Sequence, residues 1–191
     1  NSISHGDRRI PYSTVVGVDW EHLTYVDRWQ ITRGEGFAEA KPAEAFNPQP
    51  LGNRNYLPMW EAIARNGLVG GVHFGGIPGV PPTPEGWPSY FYEEYAGMAQ
   101  VFATQLTSIV CEGTFDHFPN LKIALLDGGW TWLPPHMWRF DKEWKNLRRL
   151  VPWVRRAPSE YIREHVRVTV QPLDAPTDPR QLGMVLVQLG S

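Results

Sequence analysis

Residues 111–141 read CEGTFDHFPNLKIALLDGGWTWLPPHMWRFD. The segment divides into a helix end, a turn at Phe118-Pro119-Asn120, an apolar run over 121–126, Asp127 at the tip of that run, a Gly128-Gly129 turn, and a new helix opened by Pro134-Pro135. A short continuous apolar run between helices predicts a buried strand of a parallel sheet. A carboxylate where such a strand hands over to a loop lies where α/β barrels keep their chemistry. Asp127 is therefore the first candidate functional residue.

The same alternation extends in both directions. Upstream, 68–74 (Leu-Val-Gly-Gly-Val-His-Phe) predicts a second buried strand, followed by Gly75-Gly76 and a Pro-rich loop as far as Pro88 that could wall a pocket. Before it a helix is expected from Asn55, with Asn55 as cap, Pro58 in the first turn, Leu57, Trp60 and Ala64 on one face, and Gly67 as the stop. Between the two strands, Tyr95, Met98, Ala99, Phe102, Leu106, Ile109 and Val110 recur at helical spacing over 89–112. Downstream, the helix after Pro134 turns Met137, Phe140, Trp144, Leu147 and Val151 inward and leaves Lys142, Lys145, Arg148 and Arg149 mostly outside. A short turn begins at Ser159, 166–171 alternates as a strand, and Asp178-Pro179 opens a last helix with Leu182, Val185, Leu186 and Leu189 inward and Gly190 as its stop. Nearer the N-terminus, 13–18 reads as a short strand, 21–30 as helical and 36–40 as a weak strand.

Repeated strand-then-helix units imply a parallel sheet, open or closed into a barrel. A (β/α)₈ barrel needs eight units in about 200 residues or more. These 191 residues hold about five.

Composition narrows the class. A chain that is 42% hydrophobic and 13% aromatic can bury one sizeable core, so 1–191 is read as a single domain. A net charge of -2, with basic residues scattered apart from one cluster, argues against nucleic acid and anionic membranes as partners. Cys111, the single cysteine, is expected as a buried thiol in a reducing compartment. No apolar run approaches the roughly 20 residues that span a bilayer. The polar start is unlike a signal peptide. These features predict a cytoplasmic protein with a small-molecule substrate.

Several motifs resemble one family in its own order. They are Pro58-Met59-Trp60-Glu61-Ala62 through Val72-His73-Phe74-Gly75-Gly76, Gly86-Trp87-Pro88-Ser89-Tyr90, Cys111-Glu112-Gly113, Phe118-Pro119-Asn120-Leu121-Lys122, Gly128-Gly129, Trp132-Leu133-Pro134 and Trp138-Arg139-Phe140-Asp141, then Tyr161-Ile162-Arg163-Glu164-His165 and Val170-Gln171-Pro172. Together, over about 51–179, they resemble the amidohydrolase-related family that includes aminocarboxymuconate-semialdehyde decarboxylase and γ-resorcylate decarboxylase.

The resemblance implies a TIM barrel holding one divalent metal, zinc in most members and manganese in some. Its ligands would be a His-x-His pair on the first strand, a His ending the fifth and an Asp ending the eighth. The strand ending Gly71-Val72-His73 matches the fifth, which makes His73 the expected metal ligand; a neutral imidazole suits zinc, and glycines allow close approach. Taken without the resemblance, a lone strand-end histidine is more often structural. Where many relatives carry a proton-handling His beside Gly-Gly, this chain carries Asp127, able to transfer protons, orient a ligand-bound His, or pair with Arg139. Arg139 is a candidate clamp for a substrate carboxylate or a partner for Asp141, Gln171 is a candidate pocket residue, and Trp130, with Trp87 and Trp132, suits a planar or aromatic acid or simply the core.

No His-x-His pair occurs, since the remaining histidines are His5, His22, His117, His136 and His165, and the strand matching the eighth is absent. His117 is expected to be exposed, His136 to be a surface or capping residue, and His165 to lie at the opposite rim. Three readings stay open: part of a longer metal-dependent enzyme that hydrolyses or decarboxylates a small acid, a truncated metal-free relative serving as a binding or assembly subunit, or an open α/β binding protein sharing local motifs. The first is the expectation, because a half-barrel would expose strand edges. Family members commonly dimerise, which implies a homo-oligomer.

Overall fold

The two apolar runs lie side by side as parallel strands in the computed structural model, which describes residues 49–73, 86–171 and 173–190 and the backbone of three short strands nearer the N-terminus. Those three are β1 (Ser4–His5), β2 (Arg8–Arg9) and β3 (Val15–Val18). β4 (Val69–His73), β5 (Lys122–Leu126) and β6 (Val166–Val168) follow. β1 and β2 pair with each other, and the other four form one sheet in the order β3-β4-β5-β6. The β4–β5 and β5–β6 pairs are parallel. β3 runs antiparallel to β4, with Val15 opposite Val72, so the expected parallel sheet holds for three strands and not for the fourth. An edge strand satisfies its neighbour's backbone groups in either direction, and hydrophobic patterning carries no information on which. The expectations at 21–30 and 36–40, and the Pro-rich loop up to residue 85, lie outside the described residues.

The helices are α1 (Leu57–Arg65), α2 (Phe91–Cys111), α3 (Thr114–His117), α4 (Leu133–Leu147), α5 (Pro158–His165) and α6 (Pro179–Leu189). α1 is not capped by Asn55: a 3-10 turn over Arg54–Tyr56 precedes it, and the Asn53 side chain accepts the Asn55 N–H. Asn53 takes the cap because the extra turn moves the first unpaired N–H upstream. α2 starts with Glu93 reaching back to the Tyr90 N–H at 3.1 Å. The turn expected at Ser159 is a full helix begun by Pro158, whose Ser159 N–H is capped by the Asp141 carboxylate of α4 at 2.9 Å. On α4 the inward face ends early, and Leu147 is exposed. The expected inward face of α6 is half-covered, with no buried residue. Asp178 caps that helix through the Arg180 N–H, and Gly190 closes it in the left-handed region.

One face of the sheet meets all the main helices. Val72, Ile123, Leu125 and Val166 share a core with Trp60, Ile63, Phe102, Leu106, Met137, Tyr161 and Ile162. Val69, Ala124 and Leu126 form a separate cluster on the other face. Strand alternation and register put His73 on that second face, four residues from Val69 and opposite Leu126.

His165 is buried at the far end of the sheet, where its Nδ1–H donates to the Leu121 carbonyl at 2.8 Å and its ring stacks on Phe115. Burial pulls this imidazole below the ordinary histidine range, against the opposing effects of the Leu121 bond and Glu164. The folded state therefore binds the proton less readily than the unfolded chain. Stability should be complete above the unfolded histidine value, near 6.5, and should be lost as pH falls through it. Urea titrations at neutral and mildly acid pH will check this, with a lower midpoint expected in acid and a shallower dependence for His165→Gln. His136, also lowered by burial, leaves part of the slope in place.

Candidate active site

The parallel register sets the geometry. With His73 opposite Leu126, Asp127 stands one residue beyond the end of β5, and its Oδ2 lies 3.0 Å from His73 Nε2. Among the described residues Asp127 is the non-glycine with positive φ, at 62°. Aspartate tolerates this left-handed conformation better than most side chains because its short polar group bonds locally. The Asp127 N–H donates to Thr169 Oγ1 at 2.9 Å, and the Thr169 N–H donates to the Leu125 carbonyl at 3.0 Å. The chain just past β6 thus clamps the acid in place.

The Gly128-Gly129 turn is required by space. A Cβ on Gly128 would overlap the buried Phe102 ring, and one on Gly129, which has φ 68°, would overlap the Asp174 carboxylate. The His73 and Asp127 side chains are 45% and 55% exposed. Their contact adds little stability at such exposure.

The structure joins His73 to Asp127 and leaves the other expected site residues apart from that pair. Arg139 is exposed on α4, with no ion pair among the described residues. Neither expected partner takes it: Asp127 meets His73, and Asp141 caps α5. Gln171 is exposed, and its carbonyl accepts the Thr169 hydroxyl at 3.3 Å, which links it to the clamp through the backbone. Trp130 is 1% exposed on the helix side of the sheet, beside a cavity it shares with Leu133, Ile162 and Val166, and its indole N–H has no partner among the described residues. His117 is exposed, while His136 is half-buried and bonded to Thr107 at 3.2 Å. Cys111 is half-buried, and burial followed by Glu112 raises its thiol pKa. Thr169 and Asp174 were not anticipated; a threonine in an alternating strand and an acid in a Pro-containing loop carry no distinctive signal.

A cavity of about 290 Å³ opens beside Gly128, lined by Met98, Ala99, Trp132 and Asp174 among others. It lies within the helix layer, whereas His73 stands on the opposite face of the sheet.

An imidazole held by a carboxylate at one ring nitrogen is the arrangement that orients metal-bound histidines. A catalytic metal site takes about three protein ligands. Among the described residues no group of three or more His, Cys, Asp or Glu is placed to hold a metal ion. His73 and Asp127 thus fit one donor position and its orienting carboxylate, and they do not make a complete site. Among the described residues no helix is long and apolar enough to cross a membrane.

Solved structures with the same fold include an amidohydrolase from Mycobacterium avium subsp. paratuberculosis K-10, with 18% identity and a TM-score of 0.55 over 73% of this chain and 35% of that one. A 5-carboxyvanillate decarboxylase from Sphingomonas paucimobilis is 22% identical, with a TM-score of 0.54 over 74% of this chain and 40% of that one. A dihydroxybenzoic acid decarboxylase from Polaromonas sp. JS666, with bound manganese and the inhibitor 2-nitroresorcinol, is also 22% identical, with a TM-score of 0.54 over 76% and 43%. The chain thus spans less than half the length of these structures, and its open sheet with crossover helices is part of a TIM barrel. No curated protein sequence matches it. The amidohydrolase family model matches residues 32–189, and the chain belongs to the amidohydrolase family.

Proposed function

We propose that this chain is part of a metal-dependent carboxy-lyase that acts on a small, planar carboxylic acid at the strand tips carrying His73 and Asp127. The observation that carries the reading is the 3.0 Å contact between His73 Nε2 and Asp127 Oδ2. Loss of CO₂ from a carboxylate breaks one C–C bond, leaves its electron pair on carbon and consumes one proton there. Asp127 is the group that hands over that proton, with His73 as its hydrogen-bond partner, and water reaching the half-exposed pair restores it. A divalent cation, when bound, supplies the positive charge that holds the substrate carboxylate, or polarises water if the reaction is hydrolysis. His73 would donate one ligand to it, and the remaining donors would come from polypeptide beyond the described residues. Arg139, Gln171 and Trp130 are further proposed contacts, nearer to substrate only once the rest of the barrel is in place. Decarboxylation is favoured over hydrolysis because two of the three structures named above are decarboxylases of aromatic acids.

The test is the purified full-length protein, assayed for CO₂ release from 2,6-dihydroxybenzoate and 5-carboxyvanillate, with intact mass and bound metal measured on the same sample. We expect a mass above 21.8 kDa, about one zinc or manganese per chain, and turnover that chelation abolishes and metal restores. A metal-free protein of 191 residues without turnover would sink the enzyme reading and leave a binding or assembly subunit.

A further inference from the structure

The net charge of -2 averages over an uneven surface. Residues 142–156 hold six basic residues, Lys142, Lys145, Arg148, Arg149, Arg155 and Arg156, against one acidic residue, Glu143. Lys142 pairs with Glu143 at 3.0 Å and Arg156 with Glu164 at 2.6 Å. The other four are exposed, with no ion pair among the described residues. Large apolar side chains stand exposed among them: Trp138 by 57%, Leu150 by 72% and Trp153 by 46%. On α4, Trp138, Lys142 and Lys145 recur at i, i+4 and i+7, which makes one outward stripe. A 3-10 turn over Arg148–Leu150 continues the surface, and Trp153 is fixed beyond it by its indole N–H, which donates to the Cys111 carbonyl at 2.7 Å.

We propose that the end of α4 and the turn after it form a docking surface for an anionic membrane, where the basic side chains meet lipid headgroups and Leu150 and Trp153 enter the layer beneath them. Clusters of four to eight Lys and Arg are drawn to anionic lipid, each worth about fivefold in affinity. Charge alone would fit a nucleic acid or an acidic polypeptide equally well. Leu150 decides between them, because an aliphatic side chain gains little beside phosphates or carboxylates and gains more on leaving water for the acyl boundary. Tryptophan favours the same boundary, with its ring in the apolar layer and its edge among the headgroups.

The rest of the barrel is a poor candidate for covering this surface. α4 packs against α2 and α5, both described, and buries Leu133, Pro134 and Met137 on its inner side. A barrel has one layer of helices outside its sheet, so the outer side of α4 faces away from the remaining polypeptide. The position also suits docking. α4 starts beside the Gly128-Gly129 turn at the strand tips and runs back along the sheet for 15 residues, so its basic end lies at the opposite rim. A membrane bound there leaves His73 and Asp127 uncovered.

Co-sedimentation of the full-length protein with vesicles tests the proposal. Binding is expected to phosphatidylcholine vesicles that contain phosphatidylserine, not to phosphatidylcholine alone, and it should weaken as salt is added. Arg148→Glu combined with Arg149→Glu should weaken it by about 25-fold or more, with an unchanged melting temperature. Leu150→Ser should weaken it by about 10-fold, an effect that pure charge attraction does not produce. If the arginine pair melts early, Lys142→Glu with Lys145→Glu carries the same expectation on the exposed stripe. A wild type that ignores anionic vesicles, binds neutral ones equally, or keeps its affinity after charge reversal overturns the proposal. Binding to soluble polyglutamate without binding to vesicles overturns it too, and assigns the surface to an acidic protein partner.

Discussion

Asp127→Asn is expected to lower kcat/KM for 2,6-dihydroxybenzoate by about 10²–10⁴-fold, the usual contribution of a positioned proton carrier, and to change the melting temperature little. Asparagine keeps the size, tolerates the left-handed backbone at φ 62° and can still bond to His73, but it cannot carry the proton. The backbone N–H to Thr169 is untouched, so the clamp persists. Asp127→Gly separates the two roles further. It removes the carboxylate and also the steric cost of a side chain at positive φ, so it should be as inactive as the asparagine variant and at least as stable. Steady-state kinetics and thermal melts on the three proteins check both expectations. Turnover that survives in Asp127→Asn would remove Asp127 from the chemistry and leave it as an orienting group for His73.

Trp60→Ala is expected to destabilise the fold by about 3–5 kcal/mol, measured as a reduced urea midpoint. Trp60 is fully buried, its indole N–H donates to the Leu51 carbonyl at 2.8 Å, and its ring lies under β4. A Cβ on Gly70 would come within 2.9 Å of that ring, which explains why this strand carries glycine there. Removing the ring leaves a cavity beneath the strand that ends in His73 and strands the Leu51 carbonyl. Trp60→Phe fills most of the space and loses the hydrogen bond, so a smaller loss of about 1–3 kcal/mol follows. The two variants together separate packing from polar satisfaction.

Most of the parallel core was legible because the physics that forms it is local. The apolar runs ending at His73 and Leu126 and the periodic face of Phe102, Leu106 and Ile109 predict β4, β5 and α2 to within about two residues. Asp127 was legible as a functional candidate because it sits at a strand tip before Gly-Gly. Its contact with His73 was not, since that depends on the register between strands far apart in sequence. The same limit hid the Thr169 clamp, the Asp174 contact with Gly129, and the cap that Asp141 supplies to α5. Trp130 differs: an aromatic near a predicted loop and an aromatic in the core leave the same trace in sequence, and the structure shows this one buried. β3 defeated the parallel expectation because hydrophobic alternation has no direction.

The cap on α5 has a dynamic consequence. Asp141 belongs to α4, yet its carboxylate holds the first turn of α5 through the Ser159 N–H, and the two helices also share the core through Met137 and Ile162. Neither helix can fray at that point without releasing the other. In native-state hydrogen exchange, amides of the C-terminal half of α4 and of α5 should therefore lose protection at one common denaturant concentration, as a single cooperative unit.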